Sequence, residues 1–313
     1  MAIPLKEFQI HLLGFRMRVS GPAPDIDLLM DSLYSNCQEP PEVKPDVFYR
    51  VEAEGGIYKV SRLASPGSGK TSDPCEVFCT QDNNELFWRL ENALCEGAME
   101  QARGMLLIHG AAVERDGRAT IIMGKSYSGK STLAIHLIRN GFRLLSDEVI
   151  LVDLETGLLK PFPRNLFVRE GALRDKNVQG GGATDRGEFV LDGLQLGRWQ
   201  YQDPGGQKKW MLDPLTVATS GFAEEAQVER IVCLQRHRKR HPMLEPSSQR
   251  ESVEMMVSNA VNLDKLAGDG WDVRGLDTIV HMVRSAENLK LQAPHAGEAW
   301  KLLHKHLNIQ GQP

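Results

Sequence analysis

The chain has 313 residues, enough for about two domains that each bury a hydrophobic core. Hydrophobic residues make up 41% of it and charged residues 25%, which is ordinary for a soluble globular protein. The formal net charge of −4 argues against a general binder of nucleic acid or of a membrane surface.

The cysteines and the hydropathy pattern both favour a cytoplasmic protein. The five cysteines are scattered and odd in number, and no second Cys or His pair stands at zinc spacing from Cys75 and Cys79. We therefore expect buried free thiols in a reducing compartment. The N-terminus shows no secretory signal, and no stretch approaches the ~18 apolar residues of a membrane span.

The first hundred residues carry strand patterns followed by one helix. Residues 8–18 alternate well enough to predict a strand. Residues 48–60 predict a hairpin that turns at a Glu-Gly-Gly sequence. Asn84 is the predicted N-cap of a helix over 85–104, whose apolar residues recur at helical spacing.

Residues 65–72 contain Gly-Ser-Gly-Lys-Thr, which mimics the end of a phosphate-binding loop. No apolar strand precedes this sequence, and Pro74 follows too soon for a long helix. We interpret it as a flexible turn or loop rather than a second nucleotide site.

Two further strands are predicted at 105–113 and 119–123, joined by a hairpin turn at Asp116-Gly117. The second strand leads into a glycine-rich loop and then into a helix that ends near Asn140-Gly141. The glycine-rich loop has the pattern Gly-x-x-x-x-Gly-Lys-Ser-Thr and consists of Gly124, Lys125, Ser126, Tyr127, Ser128, Gly129, Lys130, Ser131 and Thr132.

This order of strand, loop and helix is typical of a phosphate-binding site. Gly124 and Gly129 let the backbone turn tightly and bring its N–H groups close to phosphate oxygens, at the positive end of the helix dipole. Lys130 supplies a point charge for the outer phosphates, and the hydroxyl of Ser131 suits Mg²⁺. The sequence therefore predicts that a nucleoside triphosphate binds here with Mg²⁺.

Beyond the loop, Asp147-Glu148 directly precedes an apolar strand predicted at 149–153. Residues 154–221 are rich in Gly and Pro and predict a lid or substrate loop. The remaining predicted elements are a strand at 229–234 and helices at 247–266, 276–288 and 297–306.

The acidic pair narrows the class of nucleotide-binding protein. Asp147 lies 17 residues after Lys130 and before an apolar run, whereas in many ATPases the acidic pair ends its strand. The sequence lacks the Leu-Ser-Gly-Gly-Gln of transport ATPases and the Asn-Lys-x-Asp that reads guanine. In phosphoryl transfer one carboxylate helps to hold Mg²⁺ and another accepts the proton of an attacking hydroxyl. The alternative is that either acid merely caps a loop.

The runs 108–113, 124–131 and 141–148 resemble the C-terminal kinase domain of HPr kinase/phosphorylase. That family has a His-Gly strand, a glycine-rich phosphate loop and a Gly-His-x-Leu-x-x-Asp-Asp segment, in this order and at similar spacings. The resemblance is specific over 105–153. The rest of the chain looks more like the HPr kinase-like proteins, including those that phosphorylate a serine on ribosomally made peptides such as lasso-peptide precursors.

The resemblance implies a role for each matching residue. Lys130 and Ser131 would serve the phosphates and Mg²⁺, and Asp147 would be the base that activates the acceptor serine. Glu148 stands where the family has a second Asp, which implies a metal or supporting role. His109 matches a histidine near the transferred phosphate, although by itself it reads as a core histidine.

The chain also departs from the family. The phosphorylase signature, a Leu-Glu-x-Arg-Gly-x-Gly type of segment, is not recognisable, and the nearest candidate is 164–171. This departure argues against a phosphate-driven reverse reaction but leaves open whether any phosphorylase activity remains. The first hundred residues do not resemble the regulatory domain of the bifunctional enzymes, which argues against control of sugar uptake.

Two basic features remain open. Arg164 lies in the loop after the acidic strand and either neutralises charge on the transferred phosphoryl group or forms a surface ion pair; Arg169 is the weaker candidate. The run 236–241 is a solvated connection or, as the alternative, an electrostatic guide for an acidic peptide.

From these observations we expect a smaller α+β region over 1–100 and, over 101–313, an α/β P-loop kinase domain of the HPr kinase/PEP carboxykinase-like type. The predicted activity is transfer of the γ-phosphate of ATP, with Mg²⁺, to a serine hydroxyl of a peptide or small protein. Arg164 joins the glycine-rich loop as a nucleotide-binding residue. The alternatives are a small-molecule hydroxyl kinase and a nucleotide-gated binding protein. No nucleic acid or membrane is expected as a partner, and self-association stays open.

Overall fold

A computed structural model describes residues 5–22, 25–40, 42–64, 74–169, 182–183, 189–191, 194–195, 200–202, 206–217, 221–237, 241–268 and 272–307. The chain forms two compact units. The first comprises Met1–Arg103 and Gly197–Leu212, and the second comprises Gly104–Leu196 and Asp213–Pro313. The second segment of the first unit lies within the range 101–313, which was predicted to form one domain.

The described residues contain the following strands, in chain order: β1 (Leu5–Leu12), β2 (Phe15–Pro22), β3 (Val47–Glu54), β4 (Ile57–Ala64), β5 (Cys75–Thr80), β6 (Met105–Arg115), β7 (Arg118–Met123), β8 (Arg143–Asp153), β9 (Leu159–Lys160), β10 (Leu166–Arg169), β11 (Gly182–Ala183), β12 (Phe189–Leu191), β13 (Leu194–Gln195), β14 (Gln200–Gln202), β15 (Lys208–Leu212), β16 (Gln227–Arg236), β17 (Met243–Pro246) and β18 (Glu287–Ala293). The α-helices are α1 (Asp25–Leu33), α2 (Asn83–Gln101), α3 (Lys130–Arg139), α4 (Pro214–Val217), α5 (Gln249–Asn259), α6 (Leu263–Gly268), α7 (Asp272–Ser285) and α8 (Ala296–His306).

The first unit contains a five-stranded sheet in the order β1-β2-β3-β4-β5. The single strand predicted at 8–18 is wrong, because β1 and β2 form an antiparallel hairpin in which Leu12 pairs with Phe15. Leu13 and Gly14 form its two-residue turn with φ values of 57° and 77°. Positive φ at both central residues matches the right-handed twist of the strands, so the chain reverses inside what reads as one alternating run.

The hairpin predicted at 48–60 is confirmed, since β3 and β4 are antiparallel neighbours. The predicted helix also forms, but its N-cap is Asp82 rather than Asn84. The Asp82 carboxylate accepts a hydrogen bond of 2.7 Å from the backbone N–H of Asn84. An aspartate here satisfies a helix-end N–H group and adds negative charge at the positive end of the helix dipole.

The second unit is mixed α/β and contains a seven-stranded sheet in the order β17-β18-β16-β7-β6-β8-β9. Strands β7, β16 and β18 run parallel, whereas β6 pairs antiparallel with both β7 and β8. On one face, Met123 and Ile231 are buried in a core cluster with Met256 and Ile279 of the helices. Helix α3 contacts β6, β7, β8 and helix α8.

The helix predicted at 247–266 is two helices in the structure, α5 and α6. The chain leaves the helical path at Ala260, whose backbone is extended, and the side chain of Asn262, just before α6, pairs with the first residues of strand β6. The Asn262 amide accepts a hydrogen bond of 2.9 Å from the Leu107 N–H and donates one of 2.8 Å to the Met105 carbonyl. The helix predicted at 276–288 ends at Ser285, and the following segment is strand β18.

The acidic pair lies inside strand β8 and not before a strand, which corrects the prediction for 149–153. In the β6–β8 pairing Ser146 is opposite Ala112 and Leu144 is opposite Val113, so Leu145 is an extra residue on β8. Such a bulge bends the strand just before the acidic pair.

No helix among the described parts of the chain is both long and apolar enough to cross a membrane. The five cysteines are free, but Cys75 and Cys79 are exposed on β5, so the expectation of buried thiols is wrong for these two. The Gly-Lys-Thr sequence at 65–72 lies outside the described residues.

Candidate active site

Strand β7 leads directly into the glycine-rich loop, and helix α3 begins at Lys130, so the predicted order of strand, loop and helix is confirmed. Gly124 is needed because a Cβ there would lie 2.4 Å from the carbonyl oxygen of Leu234. Gly129 is needed for a different reason, since its φ of 102° is in the left-handed region. Gly124 therefore allows the loop to pack against strand β16, and Gly129 allows the backbone to turn into helix α3.

Lys130 is folded back over its own loop. Its Nζ donates to the carbonyl oxygens of Gly124, at 3.0 Å, and of Lys125, at 3.4 Å. Burial lowers the pKa of Lys130, while the carboxylates of Asp147 and Glu148 raise it. The two carboxylates therefore offset part of the effect that the loss of water has on the ammonium group.

Ser131 and Asp147 form the central contact of the site. The Ser131 hydroxyl donates a hydrogen bond of 3.0 Å to Oδ1 of Asp147, joining the first turn of α3 to strand β8. Asp147 is only 4% exposed, and within the described parts of the chain its Oδ2 has no hydrogen-bond partner. Burial, reinforced by repulsion from Glu148, raises the pKa of Asp147 to about 6.

Glu148 has a φ of 82°, which is rare for a residue with a side chain. Neighbouring residues of a regular strand point to opposite faces, so this distortion changes the alternation at the acidic pair. The two carboxylates act on each other, because Glu148 raises the pKa of Asp147. The Glu148 carboxylate also lies 3.9 Å from Nη2 of Arg164.

His109 is half-buried on strand β6, opposite Val149 of β8. Burial and the positive charge of Lys130 lower the pKa of His109, while Glu148 acts in the opposite direction. The imidazole is therefore neutral at neutral pH. The structure brings His109, Lys130, Asp147 and Glu148 within electrostatic reach of one another.

Arg164 is 5% exposed and lies over the rings of Phe162 and Phe167, at 5.6 and 5.0 Å from their centroids. Its positive charge lowers the pKa of Asp147. Arg164 is therefore a buried partner of the acidic pair rather than a surface arginine.

The rest of the glycine-rich loop is more open. Lys125, Ser126 and Tyr127 are exposed, Thr132 is half-buried, and Ser128 is buried. The Ser128 hydroxyl has no hydrogen-bond partner among the residues that the structure describes.

Arg169 and Arg236 both contact the glycine-rich loop at Tyr127, although their positions in the sequence made them weak candidates. The Arg169 guanidinium lies 4.2 Å from the ring centroid of Tyr127, and its charge lowers the pKa of both His109 and Lys130. Arg236 donates to the backbone oxygens of Tyr127, at 3.5 Å, and of Pro294, at 3.0 Å. The basic run 236–241 therefore begins with a residue bound to the loop, although 238–240 lie outside the described residues. The sequence signal that could have pointed to these contacts is Tyr127, a large aromatic residue within the glycine-rich loop.

The residues present fit Mg²⁺ that is shared with phosphate oxygens. No three His, Cys, Asp or Glu side chains of the described chain are grouped to hold a metal by themselves. Mg²⁺ usually takes one or two carboxylates together with substrate phosphates and water. The Ser131 hydroxyl and the carboxylate of Glu148, next to Asp147 on strand β8, supply oxygen ligands of that kind.

No protein-family model matches the chain. The chain is 30% identical over 100 residues to HPr kinase/phosphorylase of Peptoclostridium acidaminophilum, and the alignment covers 30% of this chain and 32% of that protein. The chain thus spans about a third of the length of this curated relative. The alignment confirms the predicted resemblance to HPr kinase/phosphorylase.

A solved structure of the HPr(Ser) kinase/phosphatase from Coxiella burnetii shares 14% sequence identity with the chain, covers 66% of this chain and 99% of its own, and superposes with a TM-score of 0.28. At that score the superposition establishes no shared topology.

Proposed function

We propose that the chain is an ATP- and Mg²⁺-dependent kinase that transfers the γ-phosphate to a serine hydroxyl of a peptide or small protein. The second unit would be a P-loop domain of the HPr kinase type. The observation that carries the proposal is the buried carboxylate of Asp147, held by Ser131 at the start of the helix that follows a glycine-rich loop. Carboxylates with strongly shifted pKa values cluster at sites of chemistry, which favours phosphoryl transfer over nucleotide binding alone.

The loop N–H groups and Lys130 would bind the phosphates. In the structure the Lys130 ammonium group donates hydrogen bonds to the carbonyl oxygens of Gly124 and Lys125. Phosphate oxygens would replace these two acceptors when a nucleotide binds. Arg169 lies close enough to Lys130 to affect its pKa, which makes it a further candidate for contact with the phosphates.

Asp147 would accept the proton of the attacking serine hydroxyl. With a pKa of about 6 it is ionised at neutral pH and still basic enough to take a proton. Its Oδ2 is the oxygen that Ser131 does not occupy. His109 is neutral and would donate a hydrogen bond near the transferred phosphoryl group.

Ser131 and Glu148 would hold Mg²⁺ together with phosphate oxygens. The ion would neutralise charge on the β- and γ-phosphates. Arg164 would keep Glu148 and Asp147 in place and offset their repulsion, because it pairs with Glu148 and lowers the pKa of Asp147.

The acceptor is proposed from the resemblance to HPr kinase-like proteins, and a ribosomally synthesised precursor peptide is one candidate. A small-molecule hydroxyl kinase would use the same residues. A nucleotide-gated binding protein would use the loop alone and would not need Asp147.

The test is mass spectrometry after incubation of the full chain with Mg²⁺, γ-labelled ATP and peptides encoded near its gene. The wild-type chain should add one phosphate to a serine, and Asp147→Asn should still bind ATP but transfer nothing. Asp153→Asn is the matched control, because Asp153 lies on the same strand. Its carboxylate accepts a hydrogen bond of 2.8 Å from the N–H of Glu155 in the turn that follows the strand.

Full transfer by Asp147→Asn would refute the assignment of the base. Transfer to small hydroxyl compounds but not to peptides would favour the small-molecule kinase. ATP binding without turnover on any acceptor would favour the nucleotide-gated binding protein.

A further inference from the structure

We propose that a cavity beside the glycine-rich loop binds the nucleoside part of the nucleotide, an inference that rests on the proposed nucleotide-binding function. The cavity has a volume of about 460 Å³, within the range of small-molecule sites. Its lining includes Lys125, Gln235, Glu254, Met255, Ser258 and Lys290. None of these residues except Lys125 belongs to the predicted site.

The position of the cavity follows from the order of the strands. The glycine-rich loop follows β7, and the acidic pair lies on β8, beyond β6 on one side of β7. Gln235 on β16 and Lys290 on β18 lie on the other side of β7. A triphosphate whose γ-phosphate reaches Asp147 therefore has its α-phosphate and nucleoside directed toward β16.

The loop itself reaches the cavity. Lys125 lines it and is the second residue of the glycine-rich loop. Gly124, one residue earlier, packs against the carbonyl of Leu234, which directly precedes Gln235 on β16. The cavity thus begins where the phosphate-binding backbone meets β16, which is where the chain of phosphates would continue into a sugar and base.

The lining suits a neutral polar ring system. The Gln235 side-chain oxygen accepts a hydrogen bond of 3.0 Å from the side-chain NH₂ group of Gln292. Because this bond uses the oxygen, the NH₂ group of Gln235 is the part of the side chain that would donate to a ligand. Met255 offers a polarisable apolar surface for a flat ring. Ser258 and Asn259 add further polar groups.

The charges of the lining favour a nucleoside over an acidic peptide. Two lysines, Lys125 and Lys290, are balanced by two glutamates, Glu251 and Glu254. Lys290 already lies 3.8 Å from Glu251. A cavity without net charge has little attraction for a polyanion, whereas rim carboxylates can accept hydrogen bonds from ribose hydroxyls.

The experiment compares ATP with inorganic tripolyphosphate, both titrated calorimetrically into the full chain with Mg²⁺. Ser258→Trp places an indole in the cavity from an exposed position of α5. Gln235→Leu keeps the volume but removes the donor, and it provides a second test if the first variant does not fold. Gln249→Trp adds the same ring on an exposed position of α5 that does not line the cavity.

We expect Ser258→Trp to weaken ATP binding about tenfold or more and Gln235→Leu about threefold, with Gln249→Trp unchanged. Tripolyphosphate affinity should change less than about twofold in all variants. Unchanged ATP affinity in both cavity variants would overturn the inference, as would a wild-type chain that binds ATP no more tightly than tripolyphosphate. Failure of the proposed kinase function is distinguishable, because it would appear as nucleoside-dependent ATP binding without phosphoryl transfer.

Discussion

The hydroxyl of Ser131 donates a 3.0 Å hydrogen bond to Oδ1 of Asp147. This bond links Ser131, in the first turn of α3, to a carboxylate on strand β8. In the sheet, β6 separates β8 from β7, the strand that leads into the glycine-rich loop. It occupies one oxygen of Asp147 and leaves Oδ2 buried and without a partner in the described chain.

Replacing Asp147 by Asn should stabilise the fold at neutral pH. The usual pKa of aspartate is about 3.9, so a folded-state pKa of about 6 means that ionised Asp147 destabilises the folded state. The sign is fixed by linkage: the folded state binds more protons between pH 4 and 6, and stability falls as the pH rises through this range. We expect Asp147→Asn to raise the free energy of unfolding by ~2–3 kcal/mol at pH 8 and by about half as much at pH 5.

The measurement is urea unfolding of both proteins at the two pH values. Asp153→Asn should show no such gain, because the Asp153 carboxylate accepts hydrogen bonds of 2.8 and 3.1 Å from the N–H groups of Glu155 and Thr156. A lower unfolding free energy for Asp147→Asn at pH 8 would contradict the prediction.

Removing the charge of Arg164 should move the pH dependence of phosphoryl transfer upward. In the proposed mechanism the base is ionised Asp147, so kcat/KM should rise with pH through the pKa of this residue in the free enzyme. Arg164 lowers that pKa, and Arg164→Gln should therefore shift the rising limb to higher pH. Arg164→Lys keeps the charge and serves as the control. An unchanged midpoint in Arg164→Gln would show that Asp147 is not the titrating group.

Gly124→Ala should be more damaging than an alanine at another glycine with positive φ. The new Cβ would lie 2.4 Å from the Leu234 oxygen and 2.8 Å from the Ser128 hydroxyl, and overpacking of this kind costs ~1–3 kcal/mol or more. Gly141 has a φ of 89°, but a Cβ added there would meet no atom within 4 Å, so Gly141→Ala should cost only ~1 kcal/mol. Equal losses of stability in urea unfolding would contradict the close approach at Gly124.

Tyr127→Leu should lower kcat/KM about two- to fivefold, the value of an exposed cation–π contact of ~0.5–1 kcal/mol. The Tyr127 ring is 53% exposed and lies 4.2 Å from the Arg169 guanidinium, so we expect it to hold this arginine near the phosphates. Tyr127→Phe keeps the ring face and should behave as wild type. If Phe and Leu are equally impaired in steady-state assays, the hydroxyl rather than the ring face is responsible.

Local patterns predicted the elements around the loop well. The 119–123 strand, the Asp116-Gly117 turn and the helix from Lys130 all depend on residues that are neighbours in sequence, so their side chains and φ preferences are visible in the sequence itself. The same reasoning failed at 8–18, because a two-residue turn of Leu and Gly does not interrupt the alternation of apolar and polar residues. It also failed at strand β18, whose place between β16 and β17 is a long-range pairing.

The order of residues is therefore enough to predict that a glycine-rich loop joins a strand to a helix, that an acidic pair follows, and that the chain resembles HPr kinase/phosphorylase. Three contacts became visible in the folded chain alone: Asp147 is buried against Ser131, Arg164 is a buried partner of Glu148, and Arg169 lies on Tyr127. These contacts join residues from separate strands and loops. Their burial, and hence the raised pKa of Asp147, arises when β8 is packed beside β6, which no local pattern encodes.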